Sequence, residues 1–230
     1  MKVISAEFIT SAAAGGDARG IPRDGLPQIA MTGRSNVGKS TLLNALCRTK
    51  VARTSAAPGK TRLANIYRVT VEGGGLGTWG LYLVDLPGYG YARGGADAAE
   101  ELMAVAEAYF LGAGDSGLEA RTSRSSLAAI DRAESRAPRS ESRHALLLVD
   151  SRHPGLASDI QAAHWLNASG VDYRVVATKI DKLTRTERAR NLKALEETFA
   201  MPALPVSAAS GEGMDILWKT IASLARTGHA

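Results

Sequence analysis

The sequence predicts an α/β fold, a mostly parallel central sheet with helices on both faces. Three observations carry this. Short apolar runs alternate along the chain with stretches of helical periodicity. A glycine-rich loop, GRSNVGKS from Gly33 to Ser40, joins one such run to one such stretch. At 230 residues and 45% hydrophobic, the chain is long enough to bury a sizeable core as one domain spanning 1–230.

The N-terminal segment 1–27 reads as an extension that adds a strand. Lys2 to Thr10 alternates enough, with Val3, Ile4, Phe8 and Ile9 as its apolar members, to be that strand, and Ala12 to Leu26 is a Gly, Ala and Asp-rich loop. Glu7 interrupts the apolar run that a signal peptide needs, and no apolar run has the length of a membrane span. A cytoplasmic location without a membrane partner is expected. Cys47, the single cysteine, excludes an internal disulfide and reads as a small core residue. A net charge of +5 is compatible with a polyanionic partner without requiring one. The four histidines lack ligand-like spacing, so no zinc site is expected.

Gln28 to Thr32 is the strand before the glycine-rich loop, and Ser40 to Cys47 is the helix after it. Each residue type in the loop has a chemical reason. Gly33 and Gly38 let successive N–H groups turn inward around a phosphate, Lys39 reaches the outer phosphates, and Ser40 supplies a hydroxyl to Mg2+. The helix N-terminus faces the same anion. Next, Pro58-Gly59 breaks regular structure before a strand from Asn65 to Val71. Thr61, inside that loop, reads on its own as a surface threonine. If the loop folds over a nucleotide, it becomes a second Mg2+ ligand.

Gly73 to Gly80 contains GxGxxG, but it lies between two strands instead of opening a helix, so it reads as a hairpin turn. Leu81 to Val84 is a strand that delivers Asp85, followed by Leu86, Pro87 and Gly88. The carboxylate suits a Mg2+-bound water, and Gly88 lets an N–H approach the terminal phosphate. Asp97 to Leu111 has helical spacing. The segment 112–144 changes character, mixing arginines with acidic residues, Ser and Gly, and reads as a mobile insertion whose charges are solvated in preference to RNA-bound.

The remaining chain alternates regularly. Ala145 to Val149 is a strand ending at Asp150, Leu156 to Asn167 a helix and Tyr173 to Ala177 a strand that opens into Thr178-Lys179-Ile180-Asp181. An aspartate in the plane of a purine accepts from the N1–H and 2-amino group of guanine, which adenine cannot match. Lys179 can lay its stem along base and ribose. Arg185 to Phe199 is a helix, Ala203 to Val206 a strand, Ser207-Ala208-Ala209 a loop whose N–H groups suit guanine O6, and Met214 to Leu224 a helix.

The order and spacing of GRSNVGKS, Thr61, DLPG, TKID and VSAA resemble the translation-factor class of P-loop GTPases. GRSNVGKSTLLNAL, ARTSAAPGKTRLANIYRV, LVDLPGYGYA, VDSRHP and VSAASGEG are similar to EngB-type bacterial ribosome-assembly GTPases over almost the whole chain apart from the insertion. The resemblance implies a Ras-like fold and a site for GTP and GDP. That site comprises Gly33, Arg34, Ser35, Asn36, Val37, Gly38, Lys39, Ser40 and Thr41, then Gly59, Lys60, Thr61, Arg62 and Leu63. Asp85, Leu86, Pro87 and Gly88 follow, then Thr178, Lys179, Ile180 and Asp181, and finally Val206, Ser207 and Ala208. Mg2+ would be held by Ser40, Thr61 and, through water, Asp85. Asn36 stands where related GTPases coordinate K+. The implied partner is the immature large ribosomal subunit, its rRNA and proteins, with a monomeric protein acting as a slow GTPase switch needed for normal division and septation.

Three departures from the pattern matter, one of them the long insertion before Ala145, which is unlike the compact family pattern. Thr178 replaces the usual Asn, which is expected to weaken the tie between its loop and the phosphate loop. Tyr89 replaces the glutamine that often orients the attacking water, so no residue is assigned as catalytic base. Two other readings stay open on the residues alone: a P-loop ATPase or kinase, and a nucleotide-stabilised scaffold that does not hydrolyse.

Overall fold

A computed structural model describes residues 1–12, 21–52, 63–89, 105–110 and 143–227. Its strands are β1 (Lys2–Ala12), β2 (Gln28–Gly33), β3 (Ala64–Glu72), β4 (Thr78–Asp85), β5 (Arg143–Asp150), β6 (Tyr173–Thr178) and β7 (Leu204–Pro205). Its helices are α1 (Lys39–Cys47), α2 (Ala157–Ala168), α3 (Arg185–Phe199) and α4 (Met214–Thr227), with a 3-10 turn at Ile180–Lys182 and a helical stretch over 105–110.

The strands form one sheet in the order β1-β3-β4-β2-β5-β6-β7. β3 pairs antiparallel with both its neighbours, while β4, β2, β5, β6 and β7 are mutually parallel, so β3 alone runs against the others. Strands covered on both faces read as unbroken apolar runs, and β5 does so from Ala145 to Val149, all of it buried. Alternate residues divide the core into two layers. Ile29, Met31, Leu83 and Leu146 pack under α1 and α4, while Ala30, Val84, Leu147 and Val175 face the 105–110 stretch, α2 and α3. Cys47 is buried in the first layer, and burial pushes its thiol up to about 12.

The strand expected over Lys2 to Thr10 is present as β1, but it is not regular. Its register against β3 shifts between Val3 and Ser5 and again between Phe8 and Thr10, so Ile4 and Ile9 are the extra residues of two bulges. Both are exposed. The GxGxxG segment is a hairpin, as its context predicts: Glu72 faces Thr78, and Gly73 N–H donates to the Gly77 carbonyl at 2.8 Å.

The expected helix over Asp97–Leu111 is described only over 105–110, where it is helical. Most of the expected 112–144 insertion lies outside the described residues. Its last two positions correct that boundary, since Arg143 and His144 belong to β5: Arg143 pairs with Gln28 and donates to the Tyr109 carbonyl, and His144 is buried. Among the described residues no helix is long and apolar enough to cross a membrane.

Candidate nucleotide site

The loops singled out in the sequence meet at one edge of the sheet. GRSNVGKS leaves the end of β2, DLPG the end of β4, TKID the end of β6 and VSAA the end of β7. β2 lies between β4 and β5, so the connections depart to opposite sides from this point, where open α/β sheets place their ligands.

Gly33 lies so close to β5 that a Cβ there would sit 2.7 Å from the Leu148 carbonyl oxygen. Asn36 and Gly38 take positive φ angles of 62° and 110°, curling the loop. No side chain caps α1. Leu42 N–H makes the first bond back, to the Gly38 carbonyl, so the preceding N–H groups at the helix start remain for an anion.

Lys39 Nζ donates to the Gly33 carbonyl at 3.0 Å, and Ser40 Oγ donates to Asp85 Oδ2 at 2.8 Å. The other carboxylate oxygen, Asp85 Oδ1, is buried without a hydrogen-bond partner among the described residues. Burial pushes the Asp85 carboxyl up, against the opposing charge of Lys39 and the Ser40 bond; the same burial lowers Lys39. A cation and a carboxylate thus stand together at the ends of β2 and β4 with one carboxylate oxygen unmet among the described residues. A hydroxyl and a carboxylate with a spare oxygen form a hard donor set, and that set fits Mg2+. The third expected ligand, Thr61, lies with Gly59, Lys60 and Arg62 outside the described residues. Leu63 stands exposed just before β3.

At the other end of the site, Thr178 Oγ1 lies 2.9 Å from the Val37 carbonyl oxygen and 3.0 Å from that of Val149. One hydroxyl has one proton, where an Asn amide would have two. The tie to the phosphate loop is therefore made by a shared donor, and Lys179 supplements it. With φ of 60°, Lys179 turns its Nζ to the Asn36 carbonyl at 2.6 Å and to Asp150 Oδ2 at 2.9 Å. Its stem passes the phosphate loop, with Cε 4.0 Å from where a Cβ on Gly38 would stand.

Asp181 accepts from Ser207 Oγ at 2.6 Å, and that bond, with weaker help from Lys182, holds its carboxyl below the ordinary value. Ser207 Oγ also accepts from the Ala209 and Ser210 N–H groups, while Ser207 N–H donates to the Glu212 carbonyl. In the loop whose backbone N–H is expected to read guanine O6, this leaves Ala208 N–H without a partner among the described residues. The side chain of Ser207 orients Asp181, a role its sequence position did not reveal.

Asp150 is the main residue that sequence reasoning placed without a role. Burial alone would raise its carboxyl, but hydrogen bonds from the Arg152 side chain, Lys179 and the Arg152 N–H outweigh burial and hold it well below the usual range. The available signal was an acidic residue at the end of a buried strand, in VDSRHP.

Leu86 is buried and its N–H donates to the Met31 carbonyl, carrying the chain past Pro87 to Gly88 beside Lys39. Ser35 N–H donates to the Tyr89 carbonyl at 2.9 Å and Ser35 Oγ to the Gly88 carbonyl at 3.2 Å. Tyr89 OH donates to Asp159 Oδ1 at 3.0 Å. Gly33 to Ser40, Asp85 to Gly88, Thr178 to Asp181 and Val206 to Ala208 are thus brought to one sheet edge.

Comparison with known proteins agrees with this geometry. The profile of the family described as 50S ribosome-binding GTPase matches residues 28–179. The chain is 38% identical over 222 residues to a probable GTP-binding protein EngB of Solibacter usitatus, covering 96% of each chain. It is 37% identical over 227 residues to that of Pelotomaculum thermopropionicum, again covering 96% of each. Among solved structures, an Era variant of Aquifex aeolicus bound to GDP and tetrafluoroaluminate aligns with a TM-score of 0.62 at 20% identity, over 86% of this chain and 56% of that one. A probable GTP-binding protein engB aligns at 0.55 and 22% identity, over 87% and 99%. These two likenesses bear on the fold. A loop built to grip phosphates, bonded to a loop that presents a carboxylate, and relatives of this identity lead to one conclusion: the chain belongs to the 50S ribosome-binding GTPase family and, within it, to the EngB-type P-loop GTPases, which hydrolyse GTP.

Proposed function

We propose that the protein is a single G domain, spanning 1–230, that acts as a GTP- and GDP-dependent switch in assembly of the large ribosomal subunit. The bond between Thr178 and the Val37 carbonyl carries this reading, because it fixes the distance between the Asp181 loop and the phosphate loop, so that one guanine nucleotide engages both. Asp181 reads the N1–H and 2-amino group, Ala208 N–H reads O6, and Lys39 and the start of α1 hold the phosphates. Mg2+, held by Ser40, Asp85 through water and Thr61, supplies charge neutralisation at the outer phosphates. K+ at Asn36 is a further element of this reading.

The switch comprises the Thr61 loop and the segment Gly88 to Ala98, and Arg93, Tyr89 and Tyr91 offer charge and stacking to ribosomal RNA. The partner is the immature large subunit, met by a monomeric protein in the cytoplasm. Effects on division and septation follow from ribosome supply. Tyr89, in the place of a water-orienting glutamine, bonds to Asp159, which supports slow intrinsic hydrolysis, on the order of 10⁻³ per second or below.

The decisive test is co-sedimentation of the purified protein with large-subunit precursors in GTP, GDP or no nucleotide. Retention that depends on the triphosphate is expected, and retention indifferent to nucleotide sinks the switch. Single-turnover assays with added subunits separate a GTPase switch from a scaffold, and K+ against Na+ at equal ionic strength tests the Asn36 element.

A further inference from the structure

Resting on the guanine-nucleotide reading, the geometry points to Asp159 as a positioning residue that sets the balance between diphosphate and triphosphate. It holds the Tyr89 hydroxyl and, with it, keeps residues 88–89 zipped to Ser35 in the space that an outer phosphate must enter.

Three observations build this. The zip uses Ser35 twice: its N–H bonds the Tyr89 carbonyl and its hydroxyl bonds the Gly88 carbonyl, with Arg34 and Tyr89 bridged as a short parallel ladder. It closes on the cation that serves the outer phosphates, since a Cβ on Gly88 would stand 2.8 Å from Lys39 Nζ and 3.0 Å from the Ser35 main chain. The start of α1, which serves the inner phosphates, is untouched by it. A diphosphate can therefore be held with the zip closed, whereas a third phosphate competes with residues 88–89 for Lys39.

Asp159 supplies the anchor. It lies in the first turn of α2, is 2% exposed, and accepts the Tyr89 hydroxyl at 3.0 Å. Burial raises the Asp159 carboxyl above its ordinary value, against the Tyr89 bond and the nearby Arg34 charge, and Asp150 adds to the rise from the end of β5. Protonated or ionised, the carboxyl keeps an oxygen that accepts the Tyr89 hydroxyl. A buried acceptor of this kind is costly to leave unmet, so Tyr89 swings away from it only when another contact compensates. A ligand shifts such an equilibrium by its differential affinity for the two states, so weakening the anchor favours the ligand that needs the zip open.

The test is titration of the full chain with fluorescent GDP and a fluorescent non-hydrolysable GTP analogue, for wild type, Tyr89→Phe, Asp159→Ala and Asp159→Asn. In Tyr89→Phe and Asp159→Ala the affinity ratio should move toward the triphosphate by about tenfold, with GDP affinity little changed. Asp159→Asn, which keeps an acceptor oxygen, should stay near wild type. Loss of fold would weaken both nucleotides together and lower the thermal midpoint; Tyr89→Phe, which loses only a hydroxyl, decides the matter if Asp159→Ala does not fold. A ratio that stays fixed in Tyr89→Phe, or moves toward GDP, overturns the proposal. Failure of the wild type to bind either nucleotide is a distinct result and overturns the guanine-nucleotide reading instead.

Discussion

Thr178 Oγ1 stands 2.9 Å from the Val37 carbonyl oxygen, joining the base-facing loop to the phosphate loop through one buried hydroxyl. Thr178→Val keeps the shape and leaves the Val37 carbonyl without that donor, at a cost of about 1–2 kcal/mol. Because the contact fixes the span between the two ends of the ligand, GTP and GDP affinities should fall together by roughly tenfold. Thr178→Ser should retain both. Isothermal titration with each nucleotide checks this, and unchanged affinity in Thr178→Val shows that Lys179 alone suffices as the tie.

Asp181 and its holder Ser207 make a second prediction. The carboxylate accepts from Ser207 Oγ at 2.6 Å, and Lys182 Nζ lies 3.4 Å from it. Asp181→Asn replaces an acceptor-only group with one that donates, so guanine loses its match while xanthine, with a carbonyl at C2, gains one. GTP affinity should fall by a hundredfold or more, on the order of two charge-assisted bonds, and xanthosine triphosphate should overtake it in competition. Ser207→Ala should weaken GTP by roughly tenfold without changing base preference.

Much of this site is legible along the chain because backbone geometry writes itself into residue type. Gly33 and Gly38 mark a close approach and a positive φ, Asp85 ends one apolar strand and Asp181 lies in the turn just after another. The two bulges of β1 at Ile4 and Ile9 belong to the unread part, because the apolar pairs Val3-Ile4 and Phe8-Ile9 read as members of one regular strand. The rest of it consists of side-chain pairs between distant segments: Lys179 with Asp150 and Asn36, Ser207 with Asp181, Tyr89 with Asp159. No periodicity links such partners, because topology alone brings the ends of β5, β6 and β7 beside the phosphate loop. Thr178 illustrates the point. Its substitution for Asn was visible, but that a single hydroxyl still reaches the phosphate loop depends on the turn at Asn36.

Ser40 and Asp85 yield a prediction for metal removal. Their direct bond leaves Asp85 Oδ1 buried and unpaired among the described residues, an arrangement that a divalent cation between phosphate and protein relieves. In the wild type, EDTA should speed release of fluorescent GDP by tenfold or more. In Ser40→Ala the release rate in Mg2+ should approach the EDTA rate, while the rates in EDTA stay similar for both proteins. A wild-type release rate indifferent to EDTA would remove the metal from the site.

Asp150 provides the pH dependence. It is 2% exposed, and its bonds from Arg152 and Lys179 outweigh burial to hold its folded-state carboxyl below the unfolded value of about 3.9. Below that value the unfolded chain takes up a proton that the folded chain resists, so acid favours unfolding. The contribution is fully present above about pH 5 and is lost as pH falls through 4 and below. Asp150→Asn should therefore be less stable at pH 7 by about 1–2 kcal/mol, a figure tempered by the partial exposure of Arg152 and Lys179. The gap between the urea midpoints of wild type and variant should narrow progressively as pH falls from 5 to 3. A gap that stays constant over that range would mean that the folded and unfolded chains titrate Asp150 alike, so that Arg152 and Lys179 do not hold its carboxyl down.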